Sequence, residues 1–155
     1  MKYLMSESEI LSAASKIAEK RLKRLSSPVT SVDQAKLVTK QYLAHLVGHS
    51  PAEQFVALWV DTRHATIAVD ILFNGTNNAA NVYPREIVRR ALDLNAAGVI
   101  LAHNHPSGDI NPSQADISIT RTVQNALQVI YCKVLDHIVV AGNGATYSFA
   151  ENNLI

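Results

Sequence analysis

Gly98-Val99-Ile100-Leu101-Ala102-His103-Asn104-His105-Pro106-Ser107-Gly108-Asp109-Ile110-Asn111-Pro112-Ser113-Gln114-Ala115-Asp116 is the stretch on which the reading of this chain turns. Val99 to Ala102 is a short apolar run of the kind that forms a buried strand, and it leads directly into His103. Side chains two apart on a strand point to the same face, so His103 and His105 are expected on one side of a sheet, where two imidazoles can share a metal. Pro106, Gly108 and Pro112 punctuate a loop, and Pro112-Ser113 then opens a helix whose first turn carries Asp116. Zinc accepts His nitrogen and carboxylate oxygen, and its catalytic sites commonly use three protein ligands, so Asp116 is the expected third. Asp109 is the rival, although after Ser107-Gly108 it reads as a turn residue. Ser113-x-x-Asp116 also has the spacing with which a helix satisfies its free amides, so capping explains both residues equally well at this level.

Working outward, Phe55 to Val60 and Ala65 to Phe73 are β-branched and aromatic runs separated by Asp61-Thr62-Arg63-His64, which reads as a hairpin. Asn74 to Asn78 reads as a loop. Pro84 suits the first turn of a helix through Ile87, Ala91 and Leu94, with Gly98 expected to end it. Downstream of Asp116, Ile119, Val123, Ala126 and Ile130 recur at helical spacing, followed by a strand over Val134 to Ala141, a Gly142-Asn143-Gly144 turn and a short strand near Tyr147 that pairs back. Strands interleaved with helices make a mixed α/β domain. Toward the N-terminus, Ser6 with Glu9 and Ser31 with Gln34 have capping-box spacing, ahead of helices through Ile10, Ala14, Ala18, Leu22 and Leu25 and through Ala35, Val38, Tyr42 and Leu46. Gly48 is a plausible stop for the second. The predicted organisation is a helix and linker over residues 1–30 and one domain over 31–155.

Composition narrows the function classes. A 48 % apolar, 17 % charged chain with 6 Gly and 5 Pro is globular, not disordered or fibrous. Fourteen basic against thirteen acidic side chains leave +1, which gives no general drive toward phosphate or acidic lipid. Six of the basic residues lie within Met1 to Arg24 beside three acidic ones, a local +3 that reads chiefly as the solvated face of the first helix, or else as a docking or weak nucleic-acid-binding arm. Cys132 is the single cysteine, so an internal disulfide, a Cys-rich zinc knuckle and a Cys-x-x-Cys redox pair are excluded, as is a zinc deaminase, which needs Pro-Cys-x-x-Cys. With no signal-peptide core before Ser6 and Glu7, and no apolar run near the ~20 residues that cross a bilayer, the expected location is the cytoplasm and no membrane partner is expected. The tripeptide His103-Asn104-His105 is not an HNH nuclease signature, which describes three separated positions in a ββα-metal fold.

His103-x-His105-Pro106, six residues, Ser113, two residues, Asp116 is similar to the JAB1/MPN metalloprotease motif. The flanking Phe55 to Asp61, Pro84-Arg85-Glu86, Asn95-Ala96-Ala97, Asp136-His137-Ile138 and Tyr147-Ser148-Phe149 resemble its bacterial RadC-like branch, over about Pro51 to Leu154. The resemblance implies a single JAB1/MPN-like domain, a mixed β-sheet flanked by helices with an N-terminal helical extension, and a zinc-dependent metallopeptidase or isopeptidase acting on a peptide or protein. It implies Zn2+ held by His103, His105 and Asp116, Glu53 as the general base, and Ser113 as hydrogen-bond donor to the oxyanion. Glu86 and Asp70 compete with Glu53, and Ser50-Pro51-Ala52-Glu53 has capping-box spacing of its own. Asn104 stands where the eukaryotic isopeptidases usually carry Ser or Thr. The fifty residues ahead of Pro51 are too few for the helix-hairpin-helix domain of full-length RadC proteins, so their link to DNA is not expected to carry over. Because the wider fold includes inactive scaffolds, the alternative is a non-catalytic, metal-stabilised interaction module linked to DNA-repair or mobile-element proteins. Asp136-His137 reads chiefly as packed strand, or else as a pair orienting a ligand imidazole. Cys132 reads as a buried apolar residue, and His45, His49 and His64 carry no assigned role.

Overall fold

The computed structural model describes residues 52–75 and 82–155, together with Leu37, which is helical. The two N-terminal helices and their linker, Gly48, His45, His49 and loop positions Thr76 to Asn78 otherwise lie outside the described residues. The apolar runs become strands β1 (Glu53–Val60), β2 (Thr66–Gly75), β3 (Gly98–His105), β4 (Lys133–Ala141) and β5 (Thr146–Ser148). Helix α1 (Pro84–Asp93) lies between β2 and β3, and α2 (Gln114–Gln128) between β3 and β4. The strands form one sheet in the order β2-β1-β3-β4-β5. Only the β3–β4 pair is parallel, since α2 supplies the crossover a parallel pair requires; the other three pairs are antiparallel. The mixed sheet and helices of a JAB/MPN-like domain are therefore present.

Pleating divides the sheet into two apolar faces. Phe55, Ala57 and Trp59 of β1 join Val99 and Leu101 of β3 against Ile87 and Ala91 of α1 and Val123 and Leu127 of α2. Val56, Leu58, Val60, Ile100, Ala102, Ile138 and Val140 make the opposite face, all at most 2 % exposed. Each fully buried side chain of this size contributes about 1.5–3 kcal/mol, so these faces dominate stability. Trp59 is buried with its indole N–H donated to Asp70 Oδ2 at 2.8 Å, and Arg90 Nε donates to the same oxygen at 2.7 Å. Asp70 thereby ties α1 to the sheet, and its carboxylate raises the pKa of the Arg90 guanidinium.

Several boundaries differ from the sequence expectation. Helix α1 ends on Asn95 at φ 50°, with Asn95 N–H donating to Leu92 O and Ala96 N–H to Ala91 O, a Schellman closure. Gly98 does not end it: it opens β3, where a Cβ would meet Leu135 Cγ and Val60 Cγ2 at 3.2 Å. The buried stripe of α2 is Asp116, Thr120, Val123 and Leu127, with Ile119 and Ile130 only partly buried and Ala126 half-buried, so two polar residues head a face expected to be apolar. Strand β2 runs on through Gly75. Glu53 begins a strand, so it caps no helix.

The β1–β2 turn forms as read. Asp61 Oδ1 accepts Arg63 N–H at 2.8 Å and Ala65 N–H at 2.9 Å, and His64 takes the left-handed φ of 59° that explains its position without a functional role. The Ala65 amide holds the Asp61 carboxyl below its ordinary value against the opposing effect of desolvation. That contribution is present above pH ~3.8 and lost as pH falls through the depressed folded value. Asp61→Ala is expected to lower unfolding stability by about 1 kcal/mol in urea titration at pH 7, with the deficit disappearing in strong acid.

Candidate metal centre

The register of the sheet assembles the site. Phe55 pairs with His103 across β1 and β3, so continuing two residues places Glu53 on the face of His105 at the same end of the sheet. His103 is fully buried and its ring stacks on Phe55, with centroids 5.9 Å apart. Helix α2 then brings its first turn over the end of β3. One nitrogen or oxygen from each of Glu53, His103, His105 and Asp116 falls within a group no wider than 4.8 Å, a donor set that can hold a metal ion. His103 Nε2 lies 2.9 Å from His105 Nε2, and these nitrogens stand 3.3 and 3.4 Å from the two Asp116 oxygens.

Hydrogen bonds on the far side of each ring assign the tautomers. His105 Nδ1 is 2.6 Å from Asp109 O, and a carbonyl can only accept, so Nδ1 carries the proton and Nε2 is left bare. His103 Nδ1 is 2.8 Å from His137 Nε2, and His137 Nδ1 is 2.6 Å from Thr120 Oγ1, whose own proton goes to Asp116 O at 2.5 Å. Reading back from that carbonyl, His137 donates to Thr120 through Nδ1 and accepts from His103 through Nε2. His103 Nε2 is therefore bare as well. Two lone pairs facing one another at 2.9 Å repel unless a cation lies between them, and the donor set accordingly fits a metal.

Charges at the site follow from this arrangement. Burial opposes ionisation of Asp116, but in the metal-free chain a proton shared with the His103 and His105 rings, together with the Ser113 hydroxyl, overrides it and holds the carboxyl well below the usual carboxylate range. With no metal between them, a second proton on His105 Nε2 is favoured by the hydrogen bond it makes to Asp116, which raises His105 above an ordinary imidazole against partial desolvation. His137 is held well below by complete burial, and it stays neutral.

Ser113 and Asp116 do form the capping box: Asp116 N–H donates to Ser113 Oγ at 3.1 Å, and Ser113 N–H to Asp116 Oδ2 at 2.7 Å. The Ser113 hydroxyl also donates to Oδ2, at 2.6 Å. Capping and site membership are thus compatible, because Oδ1 faces His103 while Oδ2 takes both Ser113 bonds and still stands 3.4 Å from His105 Nε2. An open cleft of about 450 Å³ reaches the site and is lined by Glu53, His105, Ser107, Asp109, Asn111 and Ser113 among others. Asp109 is exposed, its Oδ1 accepts from Asn111, and it contributes its carbonyl rather than its carboxylate to the site. Glu86 is engaged by Arg89 at 2.6 Å, and Asp70 by Trp59 and Arg90, which removes both from the cleft. Cys132 is buried with its thiol pushed up to about 11, as expected of an inert apolar residue.

Sequence reasoning missed two contributors. Thr120 gave no signal beyond its place one turn after Asp116. Asn104, buried between the two histidines, accepts Gln54 N–H at 2.7 Å and donates to Ala52 O at 3.1 Å, so its amide grips the backbone on both sides of Glu53. Asp136 does not orient the His137 ring; its carboxylate accepts the His137 and Ala150 amides and the Ser148 hydroxyl instead. His137 is packed within β4 as read, and its ring in addition bonds to His103 and Thr120.

Two outcomes follow from these contacts. Asn104→Ser is expected to cost about 1 kcal/mol in chemical unfolding, because the shorter side chain gives up the bond from Gln54 N–H at the start of β1. In chelator-treated protein, the stabilisation by the protonated His105–Asp116 pair is full below pH ~6.5, provided Asp116 is ionised, and is lost as pH rises through the raised His105 value. His137 pulls the other way, losing stability as pH falls below ~6.5, so the comparison is between wild type and His105→Gln. Their difference in urea midpoint is expected to shrink between pH 5.5 and pH 8.5.

Comparison with known proteins agrees with this architecture. A family model described as the RadC-like JAB domain matches residues 30–154. A UPF0758 protein of Stenotrophomonas maltophilia is 55 % identical over 115 residues, covering 74 % of this chain and 49 % of that protein. One from Photobacterium profundum is 50 % identical over 113 residues, covering 73 % and 50 %. A third, from Methylibium petroleiphilum, is 48 % identical over 147 residues, covering 94 % and 64 %. The chain spans about half the length of the first two relatives and somewhat more of the third. With a match that takes in the whole described sheet and the four converging side chains, the chain belongs to the RadC-like JAB domain family.

Proposed function

We propose that the chain is a zinc-dependent hydrolase of peptide or isopeptide amide bonds. The observation that carries this reading is the convergence of two bare imidazole nitrogens and two carboxylates at the edge of an open cleft. His103, His105 and Asp116 would hold the ion, and two imidazoles with one carboxylate are a ligand set suited to zinc. Zinc in such a site acts as a Lewis acid and lowers the pKa of water to about 7.

The remaining work falls to the chain's own groups. Glu53, half-buried at the cleft and gripped on both backbone sides by Asn104, takes a proton from the attacking water and returns it to the leaving amine as the C–N bond breaks. Ser113 turns its hydroxyl proton from Asp116 Oδ2 to the oxygen on which negative charge develops, while its lone pair keeps the Asp116 amide capped. Asp116 stays ionised throughout. No described helix is long and apolar enough to cross a membrane, and the chain's one cysteine is a buried thiol, which together support action in the reducing cytoplasm.

Elemental analysis of protein purified without added zinc is expected to find about one zinc per chain, lost in His103→Ala and Asp116→Ala. Glu53→Gln is expected to keep the zinc and lose hydrolysis of an amide or isopeptide library by about 100-fold or more. Equal zinc binding by wild type and His103→Ala in isothermal titration would sink the metal reading. Zinc uptake with hydrolysis indifferent to Glu53→Gln would move the chain to the alternative, a metal-stabilised interaction module.

A further inference from the structure

We propose that His137 is a positioning residue that, with Thr120, holds His103 in the Nδ1–H tautomer and so keeps His103 Nε2 open toward the metal. The inference rests on the metal reading of the site and concerns residues that reading does not use.

His137 lies on β4, two residues before the partner of His103 in the parallel β3–β4 register, where Val139 faces His103 and His137 faces Leu101. It thus reaches His103 diagonally on the same sheet face. Both rings are fully buried, so water cannot replace a lost hydrogen bond to either. A neutral imidazole has one donor and one acceptor, and only one arrangement satisfies the chain Asp116 O, Thr120 Oγ1, His137, His103. Thr120 must donate to the carbonyl at 2.5 Å, His137 must donate to Thr120 at 2.6 Å, and His103 must donate to His137 at 2.8 Å. Reversing any member leaves two protons or two lone pairs face to face.

The chain also closes on itself. It begins at the main-chain carbonyl of Asp116 and ends at His103 Nε2, 3.3 Å from the carboxylate of the same Asp116. One cycle of buried contacts therefore links β3, β4 and the first turn of α2. His103 is the member of the pair that most needs this support. His105 is partly exposed and takes its tautomer from the Asp109 carbonyl in the neighbouring loop, whereas among the described residues His103 has no carbonyl or carboxylate on its Nδ1. His137 supplies the missing acceptor.

Packing and polarity can be separated experimentally. The His137 ring sits against Phe149 with centroids 4.7 Å apart and against Phe55 at 5.2 Å, so His137→Phe preserves aromatic packing and removes only the acceptor and donor. His137→Gln places an amide oxygen where Nε2 accepts. The test uses the full chain, with zinc affinity read by competition against a chromophoric chelator and ring tautomers read by nitrogen-15 NMR of metal-free protein. Wild type is expected to show His103 protonated at Nδ1. His137→Phe, with its circular dichroism unchanged, is expected to lose that tautomer and bind zinc about 10–100-fold more weakly, with His137→Gln regaining most of the loss. Thr120→Val, which tests the chain of bonds without altering either ring, is expected to weaken zinc about tenfold by freeing His137 to turn.

An unchanged His103 tautomer and unchanged zinc affinity in folded His137→Phe would overturn the inference, as would an Nε2-protonated His103 in wild type. If His137→Phe fails to fold, the wild-type tautomer and Thr120→Val decide in its place. Failure of wild type to take up zinc would instead overturn the metal reading, while the tautomer spectrum would still judge the chain of hydrogen bonds.

Discussion

The antiparallel register that sets Phe55 against His103 is the constraint on which the rest of the site depends. Strand side chains alternate, so this pairing sends Glu53, His103 and His105 to the same face, and a slip of one residue would turn Glu53 to the other side of the sheet. The register is held from two directions. Phe55, Ala57 and Trp59 must bury against α1 and α2, which penalises any slip through the whole apolar face. Beyond the last β1–β3 ladder pair, the Asn104 amide continues the grip with its own donor and acceptor, so β1 stays fastened to β3 as far as Ala52.

Asp116 shows how a buried charge is made tolerable. Removing a carboxylate from water costs several kcal/mol unless polar partners compensate. Here the compensation comes from the helix N-terminus on one side, through the Ser113 amide and hydroxyl, and on the other falls to a cation, metal or imidazole proton, held between the carboxylate and the two rings. The same geometry leaves the imidazole lone pairs pointing at one spot. A site that satisfies its carboxylate through the helix cap and its rings through Asp109 and His137 has turned its remaining electron pairs inward, which is the electrostatic condition for holding a cation.

Much of this was legible in the residues. The apolar run into His103, the two-residue spacing of the histidines, the Pro-Gly punctuation and the Ser113-x-x-Asp116 box each follow from local rules, and each stands where expected in β3, the loop and α2. Capping and metal roles for Asp116 looked like rivals because spacing alone cannot show that one carboxylate has two oxygens facing two ways. The inward stripe of α2 was misread for a related reason. An apolar period finds Val123 but passes over Asp116 and Thr120, which are buried because their partners, not their own hydrophobicity, support them. Gly98 likewise looked like a helix stop, whereas its lack of a side chain serves a close approach of Val60 and Leu135, residues distant in sequence.

By itself the sequence determined the strands and helices of the described residues, the family likeness and the residue types available for chemistry, since hydrophobic period, turn residues and caps act over a few neighbouring positions. Only the tertiary structure decided which carboxylates meet the histidines, because Asp70, Glu86 and Asp109 differ from Glu53 and Asp116 not in kind but in which partners the fold sets beside them. It also decided the tautomers. A ring proton is placed by the acceptor on its far side, and for His103 that acceptor is 34 residues away on a parallel strand, beyond the reach of any local rule.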